Sequence, residues 1–170
     1  CDIVSLNAYP MGNSAWFTFG AFEESRRFLT DARVRHDRLS AYENQLRRVL
    51  TQLEKMGKPA LLSETGFPSA LGYQIEDGRM VIPRTDGALY GEAMAEFLTL
   101  IGRVNREYNG RIEAIYFYEW RDNLYHNKIW NVEQSPIHTA FGLCERDGKP
   151  KFDIAKAIQI LSSTLVEKRE

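Results

Sequence analysis

The chain has 170 residues, of which 44% are hydrophobic, and its 22 basic and 23 acidic residues give a net charge of -1. This length suits one domain with a substantial core, and the interspersed charges are typical of an ordinary globular protein. Such a balance provides no basic surface for nucleic acid or anionic lipid. No apolar run approaches the roughly 20 residues that span a bilayer. From the charge balance we therefore expect no nucleic-acid partner, and from the short apolar runs we expect no membrane partner.

The two cysteines, Cys1 and Cys144, lie far apart in sequence and form no metal-binding motif with the histidines. Two free thiols are the default expectation, and a disulfide between them stays open. We expect no metal site. Because the chain opens at Cys1 directly in a predicted strand, we also expect it to be cut from a longer protein.

The first predicted strand runs from Asp2 to Ala8, where β-branched and aliphatic residues precede Pro10. An aromatic and glycine-rich loop follows it. From about Ser40, apolar residues recur at three- and four-residue steps, which predicts an amphipathic helix ended by Gly57. The charged run from Arg33 to Arg38 is expected to be a solvated helix face or end.

The second predicted strand covers Ala60 to Ser63 and leads straight into Glu64. Gly66 and Pro68 follow at once, so regular structure cannot continue and the carboxylate is placed at the strand's end. The stretch from Ala70 to Ala88 is interpreted as a loop excursion with a turn between two short extended pieces.

A second amphipathic helix is predicted from Met94 to Tyr108, then a third strand from Glu113 to Trp120 and a terminal helix from Phe152 to Leu165. This alternation is typical of an α/β protein with parallel strands. Three units cannot close a (β/α)8 barrel, which needs roughly 250 residues. The open edges of such a sheet would need a partner.

Polar and aromatic residues lie at the carboxyl ends of all three predicted strands: Asn7 and Tyr9, then Glu64, then Glu119 and Trp120. Parallel strands place their carboxyl ends on one rim, so these side chains are expected to meet. Carboxylates beside hydrogen-bonding groups and aromatic rings are typical of a sugar site.

These motifs resemble the last three strands of a clan A glycoside hydrolase barrel, most closely the β-1,3-glucanase family, family 17, and its bacterial relatives. The resemblance covers almost the whole chain and is carried by five segments: Asn7 to Pro10, Ser63 to Ser69, Tyr118 to Asn123, Phe141 to Leu143, and Gly148 to Lys151. It implies that residues 1–170 form one partial TIM-barrel domain, the C-terminal portion of a catalytic domain with no cofactor.

The resemblance also implies roles for individual residues. Glu64 would be the nucleophile of a retaining mechanism, and Tyr9 would hydrogen-bond it. The substrate-binding residues would be Tyr9, Asn7, Glu119 and Trp120. Phe67 would form an aromatic wall of the site at a position where the family usually has Trp. The segment from Glu119 to Asn123 departs from the plant pattern, which makes the role of Glu119 the less direct inference.

A retaining glycosidase needs a second carboxylate about 5 Å from the nucleophile, and the family places it at the end of the fourth strand. No strand of this chain supplies it, so the acid/base residue is expected upstream. The expected partner is a β-linked oligo- or polysaccharide. Three alternatives stay open: a glucan transglycosylase, a non-catalytic carbohydrate-binding or scaffold barrel, and a fragment that folds by association with itself or with the missing N-terminal half.

Overall fold

The computed structural model describes residues 2–11, 20–76, 80–123 and 136–162. Five strands lie in these ranges: β1 Val4–Asn7, β2 Ala60–Thr65, β3 Ala70–Glu76, β4 Met80–Thr85 and β5 Ile112–Phe117. The helices are α1 Gly20–Thr30, α2 Ala32–Lys55, α3 Gly87–Glu107 and α4 Ile154–Ser162, with a 3-10 helix at Pro136–Ala140. Cys1, His126 and the last residues of the predicted terminal helix lie outside the described residues.

The main sheet has three parallel strands in the order β1-β2-β5, so the strand that carries Glu64 is central. Leu62 is in register with Leu6 on one side and with Ile115 on the other. The prediction of an α/β protein with a parallel sheet is therefore confirmed. The excursion after β2 is not a loop but an antiparallel hairpin, β3 and β4, longer than the two extended pieces predicted there.

The first helical region is larger than the apolar pattern predicted. The expected loop contains α1, and α2 begins at Ala32 rather than near Ser40, because the side chain of Asp31 caps it by accepting from the backbone N–H of Arg33 and Val34. The prediction that the charged run is solvated is wrong at Arg35.

Arg35 is buried and contacts the neighbouring helix α3. Its Nε and Nη2 donate to the two carboxylate oxygens of Glu96 in α3 at 3.1 and 2.9 Å, and its Nη1 donates to the carbonyl of Leu29 at 2.8 Å. A buried guanidinium is tolerated because its donors are bonded. The other charged residues of the run, Arg33 and Arg38 among them, are exposed as predicted.

The helices cover one face of the main sheet. Leu46, Leu50, Leu62, Phe97 and Ile101 are among the fully buried residues of this core. On the opposite face of the sheet, Ser5 and Asn7 in β1 and Tyr116 in β5 are exposed, and Leu61 and Ser63 in β2 are half-buried. Within the described residues the sheet is thus covered on one face and open on the other. No helix in these ranges is long and apolar enough to cross a membrane.

Candidate functional site

Glu64 is the penultimate residue of β2 and lies at its carboxyl end, as predicted. The pairing of β2 shifts on both sides at this point, because Asn7 is opposite Glu64 and Thr65 is opposite Phe117. The strand ends at Thr65, and the φ of 138° at the next residue, Gly66, is a conformation that favours glycine. An added Cβ there would also lie 3.0 Å from the carbonyl oxygen of Tyr118.

Two neutral donors converge on one oxygen of the Glu64 carboxylate. The hydroxyl of Tyr9 donates to Oε2 at 2.8 Å, and the amide Nδ2 of Asn7 donates to the same atom at 3.3 Å. Among the described residues no donor bonds Oε1, and Glu64 is only half-buried. The carboxylate is therefore oriented through Oε2 alone by the described residues.

A chain of hydrogen bonds on the open face of the sheet orients the Asn7 amide. The Ser63 hydroxyl donates to Oδ1 of Asn7 at 2.7 Å, and the Ser5 hydroxyl lies 2.6 Å from that of Ser63. Because Oδ1 is an acceptor here, Nδ2 faces Glu64. Sequence reasoning missed Ser5 and Ser63, although Ser5 lies two residues before Asn7 and therefore on the same face of β1.

The backbone around Glu64 is held from both neighbouring strands. The carbonyl of Glu64 accepts from the N–H of Ala8 at 3.0 Å, and the carbonyl of Thr65 accepts from the N–H of Tyr118 at 2.9 Å. The buried hydroxyl of Thr65 donates to the carbonyl of Ala8 at 2.7 Å. The carboxylate is thus carried by a rigid part of the sheet rather than by a mobile loop.

Two tyrosines beside the carboxylate are held in the neutral form. Burial raises the pKa of Tyr9 well above its usual range, and the hydrogen bond and negative charge of Glu64 raise it further. Burial, together with the charges of Glu119 and Glu64, raises the pKa of Tyr118 to about 12. Tyr118, at the end of β5, was not among the predicted site residues. Its place in a strand that ends on the same rim was the available signal.

The predicted residues after β5 lie beyond the regular strand. Glu119 and Trp120 continue from β5 and pair with the segment 141–144, since Glu119 N–H donates to Phe141 O and Trp120 O accepts from Cys144 N–H. Glu119 is half-buried, whereas 64% of Trp120 is exposed. Trp120 therefore has the open aromatic surface that stacking on a sugar requires.

Phe67 does not line the site, and its predicted role as an aromatic wall is corrected. Its side chain is fully buried, and its ring packs against Phe28, Tyr90 and Phe97 at centroid distances of 4.9, 5.2 and 5.7 Å. After the turn at Gly66 the side chain of Phe67 enters the hydrophobic core, so none of its surface is accessible to a ligand.

The described residues contain no group of three or more His, Cys, Asp or Glu side chains that could hold a metal ion. Cys144 is a buried free thiol. No protein-family model matches the chain, and it has no match among curated proteins. The functional argument therefore depends on the geometry around Glu64.

Proposed function

We propose that this chain is the C-terminal portion, strands six to eight, of a (β/α)8 glycoside hydrolase that cleaves a β-linked glucan, of the β-1,3-glucanase kind, with retention of configuration. The observation that carries the proposal is the bonding of Glu64 at the carboxyl end of the central parallel strand, where Tyr9 and Asn7 both donate to Oε2. Neutral donors orient a carboxylate without neutralising its charge.

The reaction that we assign to this geometry has two steps. Oε1 of Glu64 attacks the anomeric carbon while the glycosidic C–O bond breaks, and the leaving oxygen takes a proton from an acid supplied upstream of this chain. The resulting glycosyl ester is then attacked by water, whose proton returns to that same residue, and Glu64 is released as a carboxylate. A sugar hydroxyl in place of water would make the protein a transglycosylase.

In this scheme Tyr9 and Asn7 are positioning residues for the nucleophile, and Trp120 supports the sugar ring. Because Tyr9 resists ionisation, it remains a donor to Glu64 over the whole range of pH in which a glycosidase works. A carboxylate that is already oriented loses little orientational freedom when it attacks. Such prior orientation of the reacting groups contributes a substantial part of enzymatic rate enhancement.

The form of the sheet supports the proposal that strands are contributed from outside this chain. Within the described residues, β1 and β5 each pair on one side only, and the face that carries Asn7 and Tyr116 is uncovered. Parallel sheets occur with both faces covered, and barrels remove open edges. A preceding barrel segment would pair with both outer strands and enclose that face.

A second candidate is a carbohydrate-binding barrel without turnover. It is favoured by the exposed ring of Trp120, which can hold a sugar whether or not any chemistry follows. The two candidates differ in one feature, since only the enzyme requires an upstream strand that ends in an acid/base glutamate.

The test uses the full-length protein with its upstream segment, assayed on β-1,3- and β-1,4-glucans for release of reducing ends. Glu64→Gln should lower kcat by about 10^4-fold or more, because the amide cannot form the ester. Glu54→Gln, on the exposed end of α2, is the matched control and should keep full activity. A 2-deoxy-2-fluoroglucoside should label Glu64, and the first product should retain its configuration.

Unchanged hydrolysis by Glu64→Gln would refute the nucleophile assignment. Binding of the same glucans without hydrolysis by the full-length protein would favour the carbohydrate-binding candidate. Predominant transfer to added oligosaccharide would identify a transglycosylase.

A further inference from the structure

A buried lysine lies behind the candidate site and joins two of its loops. The ammonium of Lys151 donates to Oδ1 of Asp122 at 2.6 Å and to the hydroxyl of Ser69 at 2.7 Å. The side chain of Lys151 is completely buried. Ser69 lies in the turn after β2, and Asp122 lies shortly after β5, so one cation links the segments that follow both strands.

The two partners of Lys151 hold the backbone on both sides of Phe141. On one side, the N–H and the hydroxyl of Ser69 both donate to the carbonyl of Ala140, each at 3.0 Å. On the other, the N–H of Gly142 donates to Oδ1 of Asp122 at 2.9 Å. The position of Phe141 is therefore fixed at both of its peptide neighbours.

Gly142 shows how tight this arrangement is. A Cβ at this position would lie 2.1 Å from the backbone nitrogen of Asp122 and 2.4 Å from the carbonyl carbon of Arg121. Only glycine allows the segment to approach so closely. The close packing of Gly142 against the backbone of Arg121 and Asp122 is therefore a specific feature of this fold.

Phe141 in turn supports the two tyrosines beside Glu64. Its fully buried ring packs edge-on against Tyr9 at 6.2 Å between centroids and against Tyr118 at 5.6 Å. Tyr9 is the residue whose hydroxyl donates to the Glu64 carboxylate at 2.8 Å. A continuous set of contacts therefore runs from the ammonium of Lys151 to the carboxylate of Glu64.

We propose that Lys151 is a positioning residue for Glu64: by holding Ser69 and Asp122 it fixes Phe141, and Phe141 sets the Tyr9 hydroxyl against the carboxylate. The consequence for catalysis rests on the function proposed above, whereas the consequence for Tyr9 does not. The two can therefore be tested separately.

The first experiment uses the 170-residue chain and follows the ionisation of Tyr9 by NMR of 13Cζ-labelled tyrosine. In the unchanged chain Tyr9 should stay un-ionised well above pH 10, the usual midpoint for tyrosine. Lys151→Met should lower the Tyr9 midpoint by about one pH unit or more, because a displaced Tyr9 is better hydrated and less close to Glu64. Lys149→Met, on the same turn but exposed, is the matched control and should leave it unchanged.

Loss of the buried cation alone can unfold the chain, so a second variant separates position from stability. In Asp122→Leu/Lys151→Met both charges are replaced by apolar groups, a change that proteins often tolerate well. A folded double variant with a lowered Tyr9 midpoint supports the proposal. A midpoint like that of the unchanged chain, in either variant, overturns it and leaves the pair with a structural role only.

The second experiment measures glucan hydrolysis by the full-length enzyme carrying the double variant. Displacement of the nucleophile should lower kcat on the order of 100-fold with little change in KM, since substrate-binding groups such as Trp120 are untouched. Absence of glucan hydrolysis in the unmodified full-length protein would refute the proposed function alone, because the Tyr9 titration does not depend on it. An unchanged kcat in a double variant with a shifted midpoint would overturn the catalytic part of the inference.

Discussion

Two carboxylates lie at the carboxyl ends of neighbouring strands of the same sheet, and they differ in burial and in the groups that donate to them. Glu64, in β2, is half-buried and accepts from the neutral Tyr9 hydroxyl and Asn7 amide. Asp122, after β5, is only 5% exposed and accepts from the Lys151 ammonium at 2.6 Å and from a backbone N–H. Among the described residues no lysine or arginine forms an ion pair with Glu64.

The difference separates a carboxylate suited to chemistry from one that holds the structure together. An ammonium at hydrogen-bond distance neutralises a carboxylate and occupies it, whereas neutral donors orient it and leave its charge for a substrate. Burial also dominates at Asp122, since it raises the pKa of that carboxyl to about 6 despite the opposing effect of Lys151. The same burial lowers the pKa of Lys151. Such a pair is costly to break and unsuited to attack.

The largest expected effect is on stability and concerns Lys151. Lys151→Met leaves Asp122 buried without its cation, so the free energy of unfolding should fall by about 3–5 kcal/mol. Urea denaturation of the 170-residue chain measures the change. Lys149→Met should stay within about 0.5 kcal/mol of the unchanged chain, as an exposed substitution does. Equal stability of the two variants would show that the buried pair contributes nothing.

The second effect is a dependence of the free energy of unfolding on pH, which we expect from the ionisation of Asp122. Its pKa is raised from 3.8 to about 6 on folding, so between these values the folded chain binds more protons at this group than the unfolded chain does. The contribution of Asp122 to stability is therefore fully present below pH 3.8 and is lost as the pH rises through 6, by at most about 3 kcal/mol.

The measurement compares the free energy of unfolding of the unchanged chain and of Asp122→Asn from pH 4 to pH 7. Loss of the Asp122 charge also lowers the pKa of Lys151 further, so the variant gains stability from that group as the pH rises, and this effect adds to the difference between the curves in the same direction. The unchanged chain should lose stability relative to the variant as the pH rises. Parallel curves would contradict the raised pKa of this carboxyl.

Parallel strand ends made much of the candidate site predictable. Asn7, Tyr9 and Glu64 could be brought together from sequence because consecutive parallel strands end on one rim, whatever their separation along the chain. The order of strands and helices followed from apolar periodicity in the same way. Such inferences succeed when the periodicity of one segment determines where its side chains lie.

Other features depend on contacts that no local pattern contains. Phe67 follows the strand end just as a wall residue would, and only the turn at Gly66 decides that it enters the core. Arg35 looks solvated until α3 places Glu96 beside it. The Lys151 pair joins residues from three segments, and a lysine is ordinarily exposed.

The third effect is smaller and concerns the hydroxyl of Tyr9. Tyr9→Phe removes one hydrogen bond to a half-exposed carboxylate, so stability should fall by only about 1 kcal/mol. The kcat of the full-length enzyme should fall about tenfold or more, because Glu64 loses its closer donor. Tyr116→Phe, at a tyrosine that is 59% exposed in the 170-residue chain, should leave the stability of that chain unchanged. An unchanged kcat in the full-length Tyr9→Phe enzyme would remove Tyr9 from the site.

The smallest expected effect on stability belongs to Glu64 itself. Glu64→Gln keeps the size of the side chain and an oxygen acceptor for the Tyr9 hydroxyl, and the residue is only half-buried, so the free energy of unfolding should change by less than about 0.5 kcal/mol. Denaturation of the 170-residue chain measures this, with Lys151→Met as the contrasting substitution. A carboxylate retained for structure would behave like that of Asp122, which loses its buried partner in the Lys151→Met variant. If Glu64→Gln destabilised the chain as much as Lys151→Met does, the distinction between the two carboxylates would fail, and Glu64 would belong with the groups that hold the rim together rather than with those that act on a sugar.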